Sequence, residues 1–260
     1  MKLRTVCARR YVTPLREGGS LPAIVEGDDD GTWVLKFRGA GQGARTLVAE
    51  IVVGELARAA GLPVPEIVFM EVDAELARTE PDPEIQDLIR ASVGLNLAMD
   101  WLPGSLTYDP LVQRPSAELA SEIVWLDAFT LNVDRTARNP NLLLWHRKLW
   151  IIDHGAALWF HHRWEEAAAL ARSPFARVRD HVLLPLADGI EAADARLTGT
   201  LTPAVIAEAV SCVPDAWLEP VDGLPDPQSQ RDAYVRLLTQ RLASPRAVVE
   251  EAIRARAAHV

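Results

Sequence analysis

The 260-residue sequence predicts an α+β protein whose strands come first and whose helices follow. Two observations carry that expectation. Up to residue 103 the chain is rich in short apolar runs of period two, separated by turns of Gly, Asp and Ser. Beyond Pro103-Gly104 the apolar residues recur mostly at helical spacing. We therefore expect two domains, residues 1–103 and 104–260.

The first segment, residues 3–12, mixes Val, Thr, Tyr and Arg and reads as an edge strand. Gly18-Gly19-Ser20 marks a turn, residues 21–26 form a second strand, and Asp28-Asp29-Asp30-Gly31 turns the chain into a third over residues 32–37. Lys36 lies near the end of that strand between Leu35 and Phe37. It either points to solvent or is held partly buried, and a buried ammonium requires a partner. Residues 45–60 (RTLVAEIVVGELARAA) form a helix stopped by Gly61 and Pro63. Glu50, flanked by apolar residues, is the expected partner of Lys36; Glu55 is expected at the surface near Arg58. The glycines from Gly39 to Gly43 read as a mobile connection, with a dinucleotide-binding loop as the weaker alternative because the spacing is not G-x-G-x-x-G. A strand at residues 67–72, a helix at 82–91 capped by Asp82, and a strand at 95–102 complete the first part.

In the second part, Ser116 caps a helix over residues 117–131. The helix delivers the chain to LNVDRTARNPNLLLWHRKLWIIDHG, residues 131–155. Two short apolar runs there, 142–145 and 149–152, flank His146-Arg147-Lys148 and predict a tight hairpin. Such a hairpin returns Asp153 to the neighbourhood of Asn139, which follows Asp134 in a D-x4-N spacing. Two carboxylates and an amide oxygen then converge, as phosphoryl transfer from Mg-ATP needs. A helix over residues 163–172 is expected next. Ser173-Pro174, Thr202-Pro203 and Ser244-Pro245 each read as the start of a helix, and residues 213–228 read as a linker. His154, His161 and His162 match no zinc spacing, and Trp145, Trp150, Trp159 and Trp164 read as packing.

Composition narrows the function class. Twenty-seven basic residues against 36 acidic ones give a net charge of −9, against a dedicated nucleic-acid or anionic-membrane binder. Cys7 and Cys212 lie in no C-x-x-C pair, which suits a reducing, cytoplasmic setting. No apolar run approaches the ~20 residues of a membrane span, and no signal-peptide core is expected at the N-terminus.

Asp134-Arg135-Thr136-Ala137-Arg138-Asn139, followed by a hairpin and Asp153-His154-Gly155, resembles the catalytic loop and metal motif of kinase-fold enzymes. With Gly18-Gly19-Ser20 and Lys36 upstream, residues 15–155 resemble the HipA-like kinase family, relatives of phosphatidylinositol kinases. Thr136 stands where those families have His, and no Ala-Pro-Glu follows Gly155. The resemblance implies a two-lobed protein-kinase-like fold with a sheet-rich N-lobe and a helical C-lobe. It implies Asp134 as catalytic base and Asn139 and Asp153 as Mg²⁺ ligands. Lys36 would bind the ATP phosphates, Gly18, Gly19 and Ser20 would cover them, and Ser20 could be autophosphorylated. Asp100-Trp101-Leu102 would form the hinge that contacts adenine. A full-length HipA has a further N-terminal segment, not expected in this sequence. The expected function is phosphate transfer from ATP to a hydroxyl, with a protein Ser/Thr as acceptor. A pseudokinase without turnover and a small-molecule kinase similar to aminoglycoside phosphotransferases are the alternatives.

Overall fold

A computed structural model describes residues 1–15, 21–41, 43–244 and 246–258. The chain divides into two compact units, Met1–Val48 with Pro65–Gly104, and Ala49–Val64 with Ser105–Val260.

In the first unit, strands β1 (Thr5–Pro14), β2 (Ala23–Gly27), β3 (Thr32–Lys36), β4 (Ile67–Val72) and β5 (Gly94–Asp100) close into a barrel in the order β1-β2-β3-β5-β4. The closing seam is parallel and pairs Thr5, Val6 and Cys7 with Phe69, Met70 and Glu71. β1 is therefore not the edge strand its sequence suggests. Closure supplies its second neighbour and leaves no unpaired rim along that stretch. The acidic turn works as read: Asp29 accepts from the Gly31 N–H at 3.1 Å and from the Trp33 indole at 3.2 Å. Trp33 and Leu35 alternate into a core with Val6, Val25, Val68, Met70 and Ala98. Helix α2 (Pro83–Ala91) carries the expected cap, Asp82 accepting from the Glu84 N–H at 3.0 Å, and adds Ile85 and Ile89 to that core.

The glycine connection between β3 and helix α1 (Ala44–Ala59) is tied rather than loose. Ala40 donates to the Phe37 carbonyl at 3.2 Å and Gly43 to the Ala40 carbonyl at 2.9 Å. Gly39 donates to Ser92 Oγ at 3.1 Å, and a Cβ there would sit 2.9 Å from that oxygen. A dinucleotide-binding unit needs β3 and β4 as parallel partners. The neighbours of β3 are instead β2 and β5, both antiparallel, which removes that alternative. From Ala49 onward, α1 groups with the second unit, whereas the sequence assigned the whole helix to the first domain. Glu55, expected at the surface, is buried and accepts from Arg58 at 2.9 Å.

The second unit is built around α3 (Ala117–Thr130), whose residues from Ala120 to Thr130 are all buried. Ser116 caps it, accepting from the Leu119 N–H at 3.2 Å, and Leu131 ends it in the left-handed region at φ 60°. Strand β6 (Leu106–Thr107) joins the hairpin β7 (Leu142–Trp145) and β8 (Lys148–Ile151). The hairpin turns on His146 and Arg147 alone, both with positive φ, while Lys148 already belongs to the returning strand. Trp145 and Trp150 meet edge to face across it.

After the hairpin the chain departs from the sequence reading in three places. The helix expected over residues 163–172 is broken into a 3₁₀ turn, Trp164–Glu166, and the single turn α4 (Ala167–Leu170). Ser173 does not start an α-helix: its hydroxyl accepts from the Phe175 N–H at 3.2 Å, and a 3₁₀ segment, Ala176–Asp180, follows. The presumed linker at 213–228 packs Trp217 and Leu218 into the interior, then caps the next helix with an Asp226–Ser229 capping box. Helices α5 (Ile190–Thr200), α6 (Pro203–Ser211), α7 (Pro227–Ala243) and α8 (Arg246–Ala257) complete the unit, and α3 packs against α5, α7 and α8. Thr202 starts α6 as expected; Ser244 ends α7 and α8 begins at Arg246, while Pro245 lies outside the described residues. Among the described residues, no helix is long and apolar enough to cross a membrane.

Arg241 on α7 is buried and donates to the carbonyls of Ala128 (2.8 Å), Phe129 (2.7 Å), Leu170 (2.6 Å) and Ser173 (3.1 Å). It satisfies the C-terminal end of α3, where a cation is favoured. Burial pulls its guanidinium down to about 10, still charged at neutral pH. Arg241→Met strands those carbonyls, so we expect a loss of about 2–4 kcal/mol in unfolding free energy by urea denaturation.

Candidate active site

The turn after α3 is hydrogen-bonded to itself. The Thr136 N–H donates to the carbonyls of Asp134 and Asn139, both at 3.0 Å, and the Asn139 N–H reaches Thr136 Oγ1 at 3.3 Å. This closes residues 134–139 into a compact loop and explains the spacing in its sequence. The amide of Asn139 donates to Asp134 Oδ2 at 2.7 Å, and the amide of Asn141 reaches the same oxygen at 3.3 Å. Both donors orient one carboxylate, and the Asn139 bond turns that residue's Oδ1 away from Asp134.

The hairpin brings the third group back. Its ladder pairs Leu142 with Ile151, and the Ile152 N–H donates to the Asn141 carbonyl at 3.1 Å. That bond returns the chain, one residue before Asp153, to a point two residues beyond Asn139. Asp153 itself is left-handed, at φ 56°.

Beneath the loop lies a cluster the sequence reading did not single out. Arg135 is 1% exposed and donates through Nε to Asp127 Oδ2 at 2.5 Å. Its Nη1 donates to the carbonyls of Asn141 and, at 3.0 Å, Ile152, and its Nη2 contacts His154 Nδ1 at 3.4 Å. One guanidinium thus holds both strands of the hairpin base to the loop between α3 and the hairpin. Asp127 also accepts from Asn132 Nδ2 at 3.0 Å, and Asn132 Oδ1 accepts the Asp134 N–H at 3.1 Å. His181 closes the cluster: its Nδ1 accepts from the Leu183 N–H at 3.0 Å, so its Nε2 carries the proton shared with Asp127 Oδ2 at 2.9 Å. Burial alone would raise the Asp127 carboxyl, but the Arg135 charge and the His181 hydrogen bond hold it well below the usual carboxylate range. Burial lowers the His181 pKa against the pull of Asp127, so the ring stays neutral. The one signal in the sequence was Asp127 itself, an acid set among Leu126, Ala128 and Phe129 on a helix with no polar face.

On the other side of Asp153, Glu50 of α1 is fully buried. Its Oε2 accepts the His154 N–H at 3.0 Å and its Oε1 the Gly155 N–H at 2.9 Å.

The family model of HipA-like kinases matches residues 9–245. The chain belongs to the HipA-like kinase family. It is a kinase, and thus a phosphotransferase. No curated protein matches the sequence. Among solved structures, this HipA-like kinase is similar to the Helicobacter pylori proinflammatory kinase CtkA, with TM-score 0.58 and 10% identity over 98% of this chain and 99% of that one. It is also similar to the Golgi casein kinase crystallised with Mn/ADP, with TM-score 0.50 and 12% identity over 96% and 73% of the two chains. At these identities the likeness shows the protein-kinase-like fold, mixed in helices and strands.

The remaining candidates of the HipA-like kinase belong to its first unit. Lys36, the last residue of β3, is 8% exposed, so the solvent-facing reading does not hold. In the expected hinge, the Asp100 N–H donates to the Glu66 carbonyl at 2.8 Å and the Trp101 N–H to the Thr32 carbonyl at 3.0 Å. Those two amides are committed to the sheet, and of the three residues Leu102 is the one whose N–H takes no part in these bonds. Gly18, Gly19 and Ser20 lie outside the described residues.

The buried His181 gives the site a pH signature. Its folded pKa lies below the unfolded value of about 6.5, so the unfolded chain takes up the proton first. The stabilisation is complete above that value and is lost as pH falls through the lowered one. Urea titrations from about pH 7.5 to about pH 5 should show stability falling with pH, and His181→Gln should flatten that fall. An unchanged slope in the variant would mean that His181 does not titrate as described.

Proposed function

We propose that this HipA-like kinase transfers the γ-phosphate of ATP, with Mg²⁺, to the hydroxyl of a Ser or Thr in a protein acceptor. The observation that carries this is the hydrogen-bonded Asp134–Asn139 pair, with a hairpin whose base bonds the Ile152 N–H, one residue before Asp153, to the Asn141 carbonyl. An amide oxygen and a carboxylate are hard oxygen donors of the type Mg²⁺ takes, so Asn139 and Asp153 fit the role of holding the ion. The Golgi casein kinase crystallised with Mn/ADP supports the same nucleotide and metal class. When bound, the metal neutralises charge developing on the β- and γ-phosphates.

The chain's own residues do the rest. Asp134, its carboxylate aimed by two amides, orients the acceptor hydroxyl and takes its proton. Lys36 binds phosphate oxygens as a point charge, with Gly18, Gly19 and Ser20 covering them. The segment Asp100-Trp101-Leu102 meets adenine, with Leu102 as the backbone donor. Most of the acceleration comes from holding the reactants in line rather than from covalent chemistry. We place the enzyme in the cytoplasm, where ATP and protein acceptors are available.

Incubation with γ-labelled ATP, with and without cell lysate, tests the reading. Asp134→Asn should lower transfer by about 10²–10⁴-fold while leaving nucleotide affinity near that of the parent. Asp153→Ala should weaken Mg-ATP binding by more than the about 10–100-fold that loss of an outer-shell partner costs. Transfer that survives Asp134→Asn would remove the proposed base. Nucleotide binding without labelling of any acceptor would favour a pseudokinase, and labelling of small molecules alone would favour a metabolite kinase.

A further inference from the structure

We propose that Arg177 selects the acceptor: its guanidinium, in a pocket beside Asp134, binds an acidic side chain that flanks the Ser or Thr receiving the phosphate. This deepens the reading above and rests on it. The pocket lies wholly in the second unit, and Asn132, Val133, Thr136, Arg177, Asp180 and His181 are among the residues lining it. Asn132 and Val133 lead into Asp134, and the Thr136 N–H donates to the Asp134 carbonyl at 3.0 Å. Successive residues of a peptide stand ~3.8 Å apart. An acceptor whose hydroxyl meets the Asp134 carboxylate therefore brings its neighbouring side chains to this pocket.

The wall that carries Arg177 is fixed to the loop. Thr136 pairs with His181 in an antiparallel bridge, and the Val182 N–H donates to the Arg135 carbonyl at 3.1 Å. Val178 is buried in the middle of the 3₁₀ segment, while Arg177 and Arg179 on either side of it are exposed. The charges in the pocket then sort themselves. Arg135 is neutralised by Asp127, His181 is neutral, and Asp180 is answered by Arg179 at 3.7 Å. Among the described residues Arg177 makes no ion pair, so its positive charge is the one left for a ligand. The surroundings share that sign. Residues 134–139 and 172–181 hold Arg135, Arg138, Arg172, Arg177 and Arg179 against Asp134 and Asp180, in a chain whose net charge is −9. An acidic peptide is repelled by the molecule as a whole and drawn to this place on it. The planar guanidinium matches a carboxylate in two parallel hydrogen bonds, which gives the contact direction as well as strength.

The test uses the full chain, γ-labelled ATP and synthetic peptides with one Ser or Thr among neutral residues. Each flanking position carries Asp, Glu, Asn or Lys in turn. The readout is the ratio of kcat/KM for the acidic and the neutral peptide with the same enzyme, which damage to the fold lowers alike in both. For the parent we expect an acid at one flanking position to raise kcat/KM about tenfold over Asn, the size of one charge-assisted hydrogen bond. Arg177→Ala should bring that ratio to about one, and Arg177→Glu should turn the preference toward Lys at the same position. Reversal by the charge swap is a change that a merely structural role would not produce. An acidic preference that survives Arg177→Ala overturns the proposal, and so does a parent that favours Lys, because Asp180 would then do the selecting. The outcomes also separate this inference from the reading it rests on. If the parent labels the peptides without regard to charge, only the role of Arg177 fails; if it labels none of them, the protein-acceptor reading fails and takes this proposal with it.

Discussion

A single buried ion pair, Arg135 with Asp127, organises this site. Removing one partner of such a pair costs about 3–5 kcal/mol, because the other charge stays behind in a dry interior. Its function here is geometric as much as energetic. Asp127 is fixed on a helix with no exposed side, and Arg135 carries that rigidity outward to the Asn141 and Ile152 carbonyls. Asn132 passes it to the backbone of Asp134. In the loop and hairpin, Asp134, Asn139 and Asp153 are partly or fully exposed, yet Asp134 reaches the buried pair through Asn132, Asn139 bonds Asp134, and Asp153 follows the Ile152 carbonyl that Arg135 holds. A loop built this way needs no reorganisation when charge develops.

The same logic explains why α3 is so completely buried. A helix that supplies an anchoring carboxylate must itself be immobile, and its C-terminal carbonyls must be satisfied without water. Arg241 does this from α7, and Trp125 ties the opposite flank to Asp194 on α5 at 2.7 Å. The second unit therefore places two guanidinium groups at one helix end, one facing the loop and one facing the bundle. His181 adds a third element to the node, joining the segment after the 3₁₀ turn at 176–180 to the same carboxylate.

Much of this was legible in the residues. Local patterns carried it: the alternation and two-residue turn of the hairpin, the caps at Asp82, Ser116 and Thr202, and the D-x4-N spacing that closes on itself through Thr136. The unread parts depend on partners distant in sequence. Parallel pairing of residues 5–7 with 69–71 closes the barrel, and nothing within β1 announces it. Residues 163–172 have helical composition, but the chain there is bent into 3₁₀ turns by packing of Trp164 on Phe160 and Tyr234. Residues 213–228 look like a linker because Pro and Asp dominate, while Trp217 and Leu218 anchor them. Asp127 is not legible as a site residue because helical periodicity counts apolar positions, and a buried acid counts against the pattern.

The most direct test of the central claim, that this framework gathers Asn139 and Asp153 on one ion, is a crystal of the protein with a non-hydrolysable ATP analogue and Mn²⁺, read by anomalous scattering. We expect an anomalous peak coordinated by Asn139 Oδ1 and the Asp153 carboxylate, with the Arg135 bonds to Asn141 and Ile152 intact. Manganese bound elsewhere, or an analogue bound with neither side chain on the ion, would contradict it.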